Sequence, residues 1–424
     1  MESLNIRSAK RSKNEKIGLH NWHSYYAGYS EAVVEDIIKY FNINKNDIVL
    51  DPWIGSGTTA IMCQKKGIRV IGRDINPVMV KFANAKVSKL IDYNLNKYTK
   101  DILDYSNSIR SEINISNMLN TNMEEYVKKD DYIHLKFIQI SIDYVIEKLN
   151  YDEYSKNILS SFYYSALFQI IRVVGTFEKG SNPTWIKKSE INNDTYFNIQ
   201  ILFEEVVESM IIDLKNSYKG IRNDILPSIE LGDSKKLNLK DNSVNFVITS
   251  PPYLTRIDYI VSTKPELLFL GYDENKDVDK LRKQTMGAPV VRDKMPEVDN
   301  KWGKICIDFL KNVKKHNSKA AKSYYLKNYI QYFDDAFKSV EEISRVLCDN
   351  GKAAIIVQTS YFKELEIKLS DIYVEMGKSV GLKSKILKRD VVRKHMANVN
   401  SKSSEYVTNK IFYEDIVLYE KVEV

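Results

Sequence analysis

The sequence predicts an α/β protein with a mixed, mostly parallel sheet and a helical insertion, and three observations carry that prediction. Apolar runs of strand length alternate with helical patterns over residues 46–90, and again from residue 228 onward. The strands end in glycine- or proline-rich turns rather than hairpin turns, as expected when each strand feeds a covering helix. Between the two patterned blocks, residues 92–228 read as long helices without strand alternation. The expected organisation is a first half over 1–91, an insertion over 92–228 and a second half over 229–424, with a polar stretch at 272–328 of separate character.

In order, 47–51 (DIVLD) reads as a buried strand, Gly55-Ser56-Gly57 as a tight turn, and 58–66 as a helix closed by Gly67. A second strand at 68–71 leads to Gly72-Arg73-Asp74. Asn76-Pro77 then caps and opens a helix to about residue 90, with proline in the first turn, where its missing N–H costs nothing. The insertion carries helical patterns at 132–149, 155–174 and 195–218. Strands are expected again at 228–231 and 244–249, followed by Ser250-Pro251-Pro252-Tyr253. Residues 272–320 are turn-rich and show no period. A helix follows at 323–347, then strands at 353–358, 384–387 and 416–419.

The 424 residues carry 63 Lys+Arg against 56 Asp+Glu, a formal charge of +7, and 43% of them are hydrophobic, ample for a full core and unlike a disordered chain. Three scattered cysteines (Cys63, Cys306, Cys348) make no disulfide framework, and no Cys/His spacing suggests zinc, so no metal is expected. The opening residues contain no apolar signal core, and no apolar run approaches the ~18 residues that span a bilayer. A cytoplasmic, nucleoid-associated location without membrane contact is the expectation. The modest positive excess permits nucleic-acid binding without establishing it.

In Asp51-Pro52-Trp53-Ile54-Gly55-Ser56-Gly57-Thr58-Thr59, the carboxyl end of a strand meets a glycine turn and then a helix N-terminus. Glycines there let backbone approach a ligand that side chains would exclude. Asp74 closes the next strand, near the spacing of ~20 residues at which a carboxylate meets a ribose hydroxyl pair. A GxG turn alone fits a plain tight turn equally well. With Asp74 it points to an adenosine-containing cofactor, and the acidic Asp51 suits a cationic sulfonium or an amino group better than a pyrophosphate.

Thr249-Ser250-Pro251-Pro252-Tyr253 lies at the carboxyl end of a predicted parallel strand, where open α/β sheets bind ligands. Two prolines hold the backbone rigid and donate nothing, which leaves carbonyls to grip an amino group. The exocyclic nitrogen of cytosine or adenine is a poor nucleophile because its lone pair is delocalised into the ring. Accepting hydrogen bonds from it favours the tetrahedral form that attacks, and Tyr253 offers a face to a base taken out of the helix.

DPWIGSGTT, GRDINP and TSPPY, in that order, resemble the motifs of the amino-methyltransferases that modify DNA at cytosine N4 or adenine N6. The upstream HNWHSYYAGYS (20–30) resembles that family's segment before the cofactor loop, and 342–353 resembles its helix, turn and strand after the catalytic motif. The resemblance covers most of 20–90, 229–271 and 323–420. It implies a class I, Rossmann-like methyltransferase fold with S-adenosylmethionine as cofactor. It further implies that Tyr25, Asp51, Trp53, Gly55, Gly57 and Thr58 line the cofactor's methionine part, that Asp74 meets its ribose and that Asp233 faces its adenine. Ser250, Pro251, Pro252 and Tyr253 would hold the target base. Trp53 departs from the family's usual phenylalanine, and SPPY, with serine where many adenine-N6 enzymes have aspartate, favours cytosine N4. A C5 mechanism lacks its Pro-Cys nucleophile.

The implied partner is double-stranded DNA with a flipped target base, with a cognate restriction endonuclease and a homodimer as further expectations. The insertion would by analogy recognise the target, yet it is net acidic by roughly four to six charges, where phosphate contact demands Lys and Arg. Lysines concentrate at 311–327 (Lys311, Lys314, Lys315, Lys319, Lys322, Lys327) and at 378–394 (Lys378, Lys383, Lys385, Lys388, Arg389, Arg393, Lys394), so 272–328 is the rival recognition segment. Trp185, in the loop at 181–185, is a candidate base probe, although a core position is the commoner fate of such a residue. Three alternatives remain open: an adenine-N6 enzyme, an RNA amino-methyltransferase, and a non-catalytic DNA-binding subunit.

Overall fold

The computed structural model describes residues 6–11, 15, 17–23, 28–178, 187–188, 196–221, 225–254, 257–392 and 410–423. Strands β1 (Ile48–Asp51), β2 (Arg69–Asp74), β3 (Ser228–Leu231), β4 (Val244–Thr249), β5 (Leu347–Gln358), β6 (Leu382–Val392) and β7 (Phe412–Lys421) form one seven-stranded sheet in the order β6-β7-β5-β4-β1-β2-β3. The neighbours from β3 through β5 pair parallel, and β7 runs antiparallel to both β5 and β6. This is the mixed, mostly parallel sheet of the expected Rossmann-like fold. The chain builds outward from β1 through β2 to β3, then restarts at β4 on the other side. The gap between the carboxyl ends of β1 and β4 is therefore the topological switch point at which such sheets form a crevice.

One face of the sheet packs on α1 (Glu31–Phe41) and α2 (Thr58–Lys65), where Val33, Val34, Ile37, Val49, Ala60, Ile248 and Ile356 form a dry layer. Ser30 caps α1 by accepting from the Val33 N–H. The other face carries α10 (Lys304–Lys315), α11 (Leu326–Val346) and α12 (Leu369–Ser379). In α11 Tyr329, Phe333, Phe337, Val340 and Ile343 recur at three- and four-residue steps and are all buried, which is why the segment is helical and which way it faces.

Helix α3 (Pro77–Asn84) is opened by Asn76, whose side chain accepts from the Val78 N–H. It begins a separate core in which α4 (Leu95–Ile109), α5 (Lys129–Lys148), α6 (Glu153–Val174) and α7 (Ile199–Ser217) pack around Phe162, Tyr163, Phe168 and Phe203. This helical layer is locked to the segment after Tyr253. Arg172 of α6 pairs bidentately with Glu266 on α8 (Lys264–Phe269), whose side chain is fully buried, and donates to the Ser262 carbonyl at 2.7 Å.

Residues 272–320, unpatterned in sequence, contain a π-type turn at Glu274–Val278, helix α9 (Asp279–Gln284) and α10. The rest is held by polar links to α11 and to the turn that precedes it. Arg292 pairs with both oxygens of the buried Asp335, its N–H donates to Gln331 Oε1 at 2.7 Å, and the Tyr324 hydroxyl donates to the Pro289 carbonyl at 3.0 Å. No described helix is long and apolar enough to cross a membrane.

Candidate active site

A cavity open to solvent lies at the switch point. Its walls come from separate parts of the chain: Gly28 and Tyr29; the loop Pro52–Ser56 with Thr58; Asp74, Ile75 and Asn76; Gly232 to Lys235; Ser250 to Pro252; Tyr259 and Ile260; and Gln284, Thr285 and Met286. Of the residues singled out from sequence, it brings together Trp53, Gly55, Thr58, Asp74, Asp233, Ser250, Pro251 and Pro252. Tyr25 lies outside the described residues, as do Trp185, Arg393 and Lys394.

The loop is built by hydrogen bonds that the sequence could not display. The Gly55 N–H donates to Asp74 Oδ2 at 2.9 Å and the Asn76 N–H to Asp74 Oδ1 at 2.9 Å, so Asp74 organises both turns as well as facing the cavity. Burial pushes its carboxyl up to about 6, against the pull of those backbone donors. Gly57 sits at φ +94°, and a Cβ there would come within 3.2 Å of Ala83. Its hydrogen-for-side-chain economy lets α2 start against α3, and it does not line the cavity.

Asp51 has a different place from the expected cofactor contact. It is wholly buried, and its carboxylate accepts from the hydroxyls of Tyr29 (2.7 Å), Thr59 (2.7 Å) and Thr249 (2.5 Å) and from the Trp53 N–H (3.2 Å). These bonds tie the ends of β1 and β4 to α2 and to the segment before α1. Burial raises its pKa while the three hydroxyls lower it. Asp51 therefore sets the separation of the two walls from behind the cavity.

In the tetrapeptide, the Ser250 hydroxyl donates to the Ile356 carbonyl at 3.0 Å. The expectation of unpaired proline carbonyls needs correction at one position: the Tyr332 hydroxyl donates to the Pro252 carbonyl at 3.0 Å. Among the described residues nothing donates to the Pro251 carbonyl, which leaves that group for an amine. Tyr253 is not among the residues that line the cavity, and its hydroxyl lies 3.4 Å from Glu414 Oε1 on β7. Asp233 accepts from the Lys235 N–H at 3.0 Å and faces its ammonium at 3.1 Å.

Several groups at the site had no sequence signal. Arg11 packs its guanidinium on Gly28 and donates at 2.8 Å to both Thr58 Oγ1 and the Tyr29 carbonyl. Lys86, 1% exposed, donates to the Ser56 carbonyl at 2.8 Å, and burial with the nearby Arg11 charge brings its ammonium down to about 7. Both put positive charge behind the amino-terminal end of α2. Gln284, Thr285 and Met286 arrive from the unpatterned stretch, and only tertiary links place them. His20 bonds Glu31 at 2.7 Å and His23 stacks on Phe82, with burial driving the His23 imidazolium down to about 3, so it is neutral.

Beside the cavity, sharing Lys235 and Gln284 with it, an open cleft is lined by Lys276, Lys280, Lys283 and Arg292 together with Asn275 and Asp279. The lysines of 311–315 lie on α10 opposite its buried Cys306, Phe309, Leu310 and Val313. The later cluster sits largely on the edge strand β6. There Arg389 is spent on Asp415 and Asp371, and Lys388 on Asp390 and the Ile6 carbonyl.

Residues 3–85 match the family described as DNA methylase, the N4/N6 type. The Type II methyltransferase M.BsoBI of Geobacillus stearothermophilus is 28% identical over 68% of this chain and 60% of its own length, so the match spans less than two thirds of that relative. The Type II methyltransferase M.MjaII of Methanocaldococcus jannaschii is 32% identical over 34% of this chain and 27% of its own. M.MvaI of Kocuria varians is 22% identical over 96% and 91%. Among solved structures, a SAM-dependent methyltransferase from Methanosarcina mazei overlaps 92% of this chain and 98% of its own at 8% identity, with a TM-score of 0.31. Over residues 3–85, the part that carries the glycine loop and Asp74, the chain is similar to the DNA methylases of the N4/N6 type.

Proposed function

We propose that the chain transfers a methyl group from S-adenosylmethionine to the exocyclic amino group of a base in duplex DNA, with cytosine N4 as the favoured target, in a restriction-modification setting. The observation that carries this reading is one cavity walled on one side by the glycine loop and the Asp74 and Asp233 carboxyls, and on the other by Ser250-Pro251-Pro252. The residues fit the cofactor. Asp74 offers a carboxylate at a strand end, Ile54, Ile75, Met79 and Ile260 give an apolar wall, and Arg11 and Lys86 lie behind the helix N-terminus that would face a carboxylate. When bound it would supply a methyl group on a sulfonium, which the base nitrogen's lone pair would take while the S–C pair stays on sulfur and the nitrogen's surplus proton passes to solvent.

The chain's own residues bind and orient. Pro251 presents its carbonyl to the amine, and Ser250, anchored on β5, offers its oxygen as a second acceptor. Tyr332 fixes the Pro252 peptide so that the loop does not reorganise as charge develops. Burial of Cys63 and Cys306 pushes their thiols up, which disfavours a thiolate mechanism at C5. The basic cleft supports a DNA backbone path that leaves the cavity through residues 276–292. Serine before the two prolines is what favours N4 over adenine N6. The test is transfer of labelled methyl to duplex DNA and to structured RNA by the intact chain. Transfer to duplex DNA is expected; cofactor binding without transfer to either polymer contradicts the reading.

A further inference from the structure

Glu414, near the start of β7, is a buried carboxyl to which the reaction above gives no role. In register it lies beside Gln358 of β5 and Asp390 of β6, two residues beyond Ile356, whose carbonyl holds Ser250. Its residue is 8% exposed. Oε1 faces the Tyr253 hydroxyl at 3.4 Å, the Lys10 backbone also bonds the carboxyl, and Oε2 is buried with no further partner among the described residues.

We propose that Glu414 is a positioning residue for the target base, holding the Tyr253 hydroxyl, and through it the loop that carries Ser250, Pro251 and Pro252, when ionised and releasing it when protonated. This rests on the reading of the chain as an amino-methyltransferase. A hydroxyl donates to a carboxylate about twice as strongly as to a neutral acceptor, so the protonation state of Glu414 decides how firmly that loop is held. The groups that face it are Tyr253 from the catalytic loop, Lys10 from the amino-terminal segment, bridged to Tyr29 of the cavity wall, and Asp390 from β6, itself paired with Lys388 at 2.7 Å. Burial pushes the carboxyl up to about 7, with Asp390 adding to the rise and Tyr253 and Lys10 opposing it. The release accordingly falls on the acid side of neutrality.

Two readouts test this on the full chain. In carboxyl-labelled glutamate NMR, the resonance missing from Glu414→Gln belongs to Glu414. Its midpoint should lie near neutral pH and move upward in Tyr253→Phe, which removes a bond to the ionised form. A midpoint unmoved by Tyr253→Phe overturns the proposal. In single-turnover transfer from about pH 5.5 to 9, the wild-type rate should fall about tenfold per unit below its acid limb. Glu414→Gln should flatten that limb and leave cofactor affinity unchanged, whereas a Gln variant that keeps the wild-type limb overturns the proposal. If no variant and no wild-type chain transfers methyl at any pH, the enzymatic reading fails, and the NMR midpoint still decides the Tyr253–Glu414 pairing.

Discussion

Residues 92–228 and 272–320 both interrupt the alternation of strands and helices, and they do opposite things. The first is long, regular and net acidic; its helices make their own core, and among the described residues none of them lines the cavity. The second has little regular structure, yet it delivers Gln284, Thr285 and Met286 to the cavity wall and Lys276, Lys280, Lys283 and Arg292 to the adjoining cleft. Periodic apolar patterns encode packing, and packing is what the helical layer contributes. A segment placed by single ion pairs and hydrogen bonds leaves no period to read, and here that segment meets the site.

The contrast breaks most severely at its anchors. Arg172→Met in the helical layer leaves the buried Glu266 carboxylate without its partner, and a loss of about 3–5 kcal/mol in denaturant stability is expected. Turnover per folded molecule should hold, and a variant that keeps its stability but loses turnover would assign the layer to the site. A smaller effect is expected where the second stretch carries charge. Lys280→Glu with Lys283→Glu should weaken DNA binding by about thirtyfold and flatten the salt dependence by about two charges, with the fold unaffected. Unchanged DNA affinity would remove the cleft from the DNA path.

The two stretches also divide what was legible. Strands β1, β2 and β4, the glycine turn and the Pro-Pro stop were all visible, because each is a local pattern that the fold obeys. Helix α1 and α12 went unremarked, and β6 and β7 were read as four-residue strands although they span 382–392 and 412–421. The edge strand β6 alternates Lys383, Lys385 and Arg389 with half-buried residues. Next to it Asp415 is buried on β7 by pairing with Arg389 and Ser370, a cross-strand compensation that hydropathy misreads as loop. At the site, Asp51 and Asp74 were visible as motif carboxyls, but their division of labour was not. Four donors spend Asp51 behind the wall, while Asp74 reaches the cavity. Arg11, Lys86 and Glu414 come from segments distant in sequence and carry no motif.

Asp74 gives the next effect in size. With its carboxyl pushed up to about 6, the ionised acceptor is present above that pH and lost below it. Cofactor Kd should therefore be flat above about pH 7 and rise about tenfold by about pH 5, a dependence that Asp74→Asn abolishes. A Kd independent of pH in the wild-type chain would place the ribose elsewhere. The smallest effect is a control on the first region: reversing the exposed Glu204 and Glu208 on α7 to lysine should leave specific DNA affinity within about twofold. A large gain there would restore the helical layer as a DNA surface.

Identification of the methylated nucleoside, after incubating the chain with duplex DNA and labelled S-adenosylmethionine, is the most direct test of the account. N4-methylcytosine in the digest, absent with Ser250→Ala at unchanged cofactor affinity, is the expected result. N6-methyladenine would keep the cavity and change the target. 5-Methylcytosine, or bound cofactor with no methylated nucleoside, would contradict a site in which Pro251 and Ser250 grip an exocyclic amine.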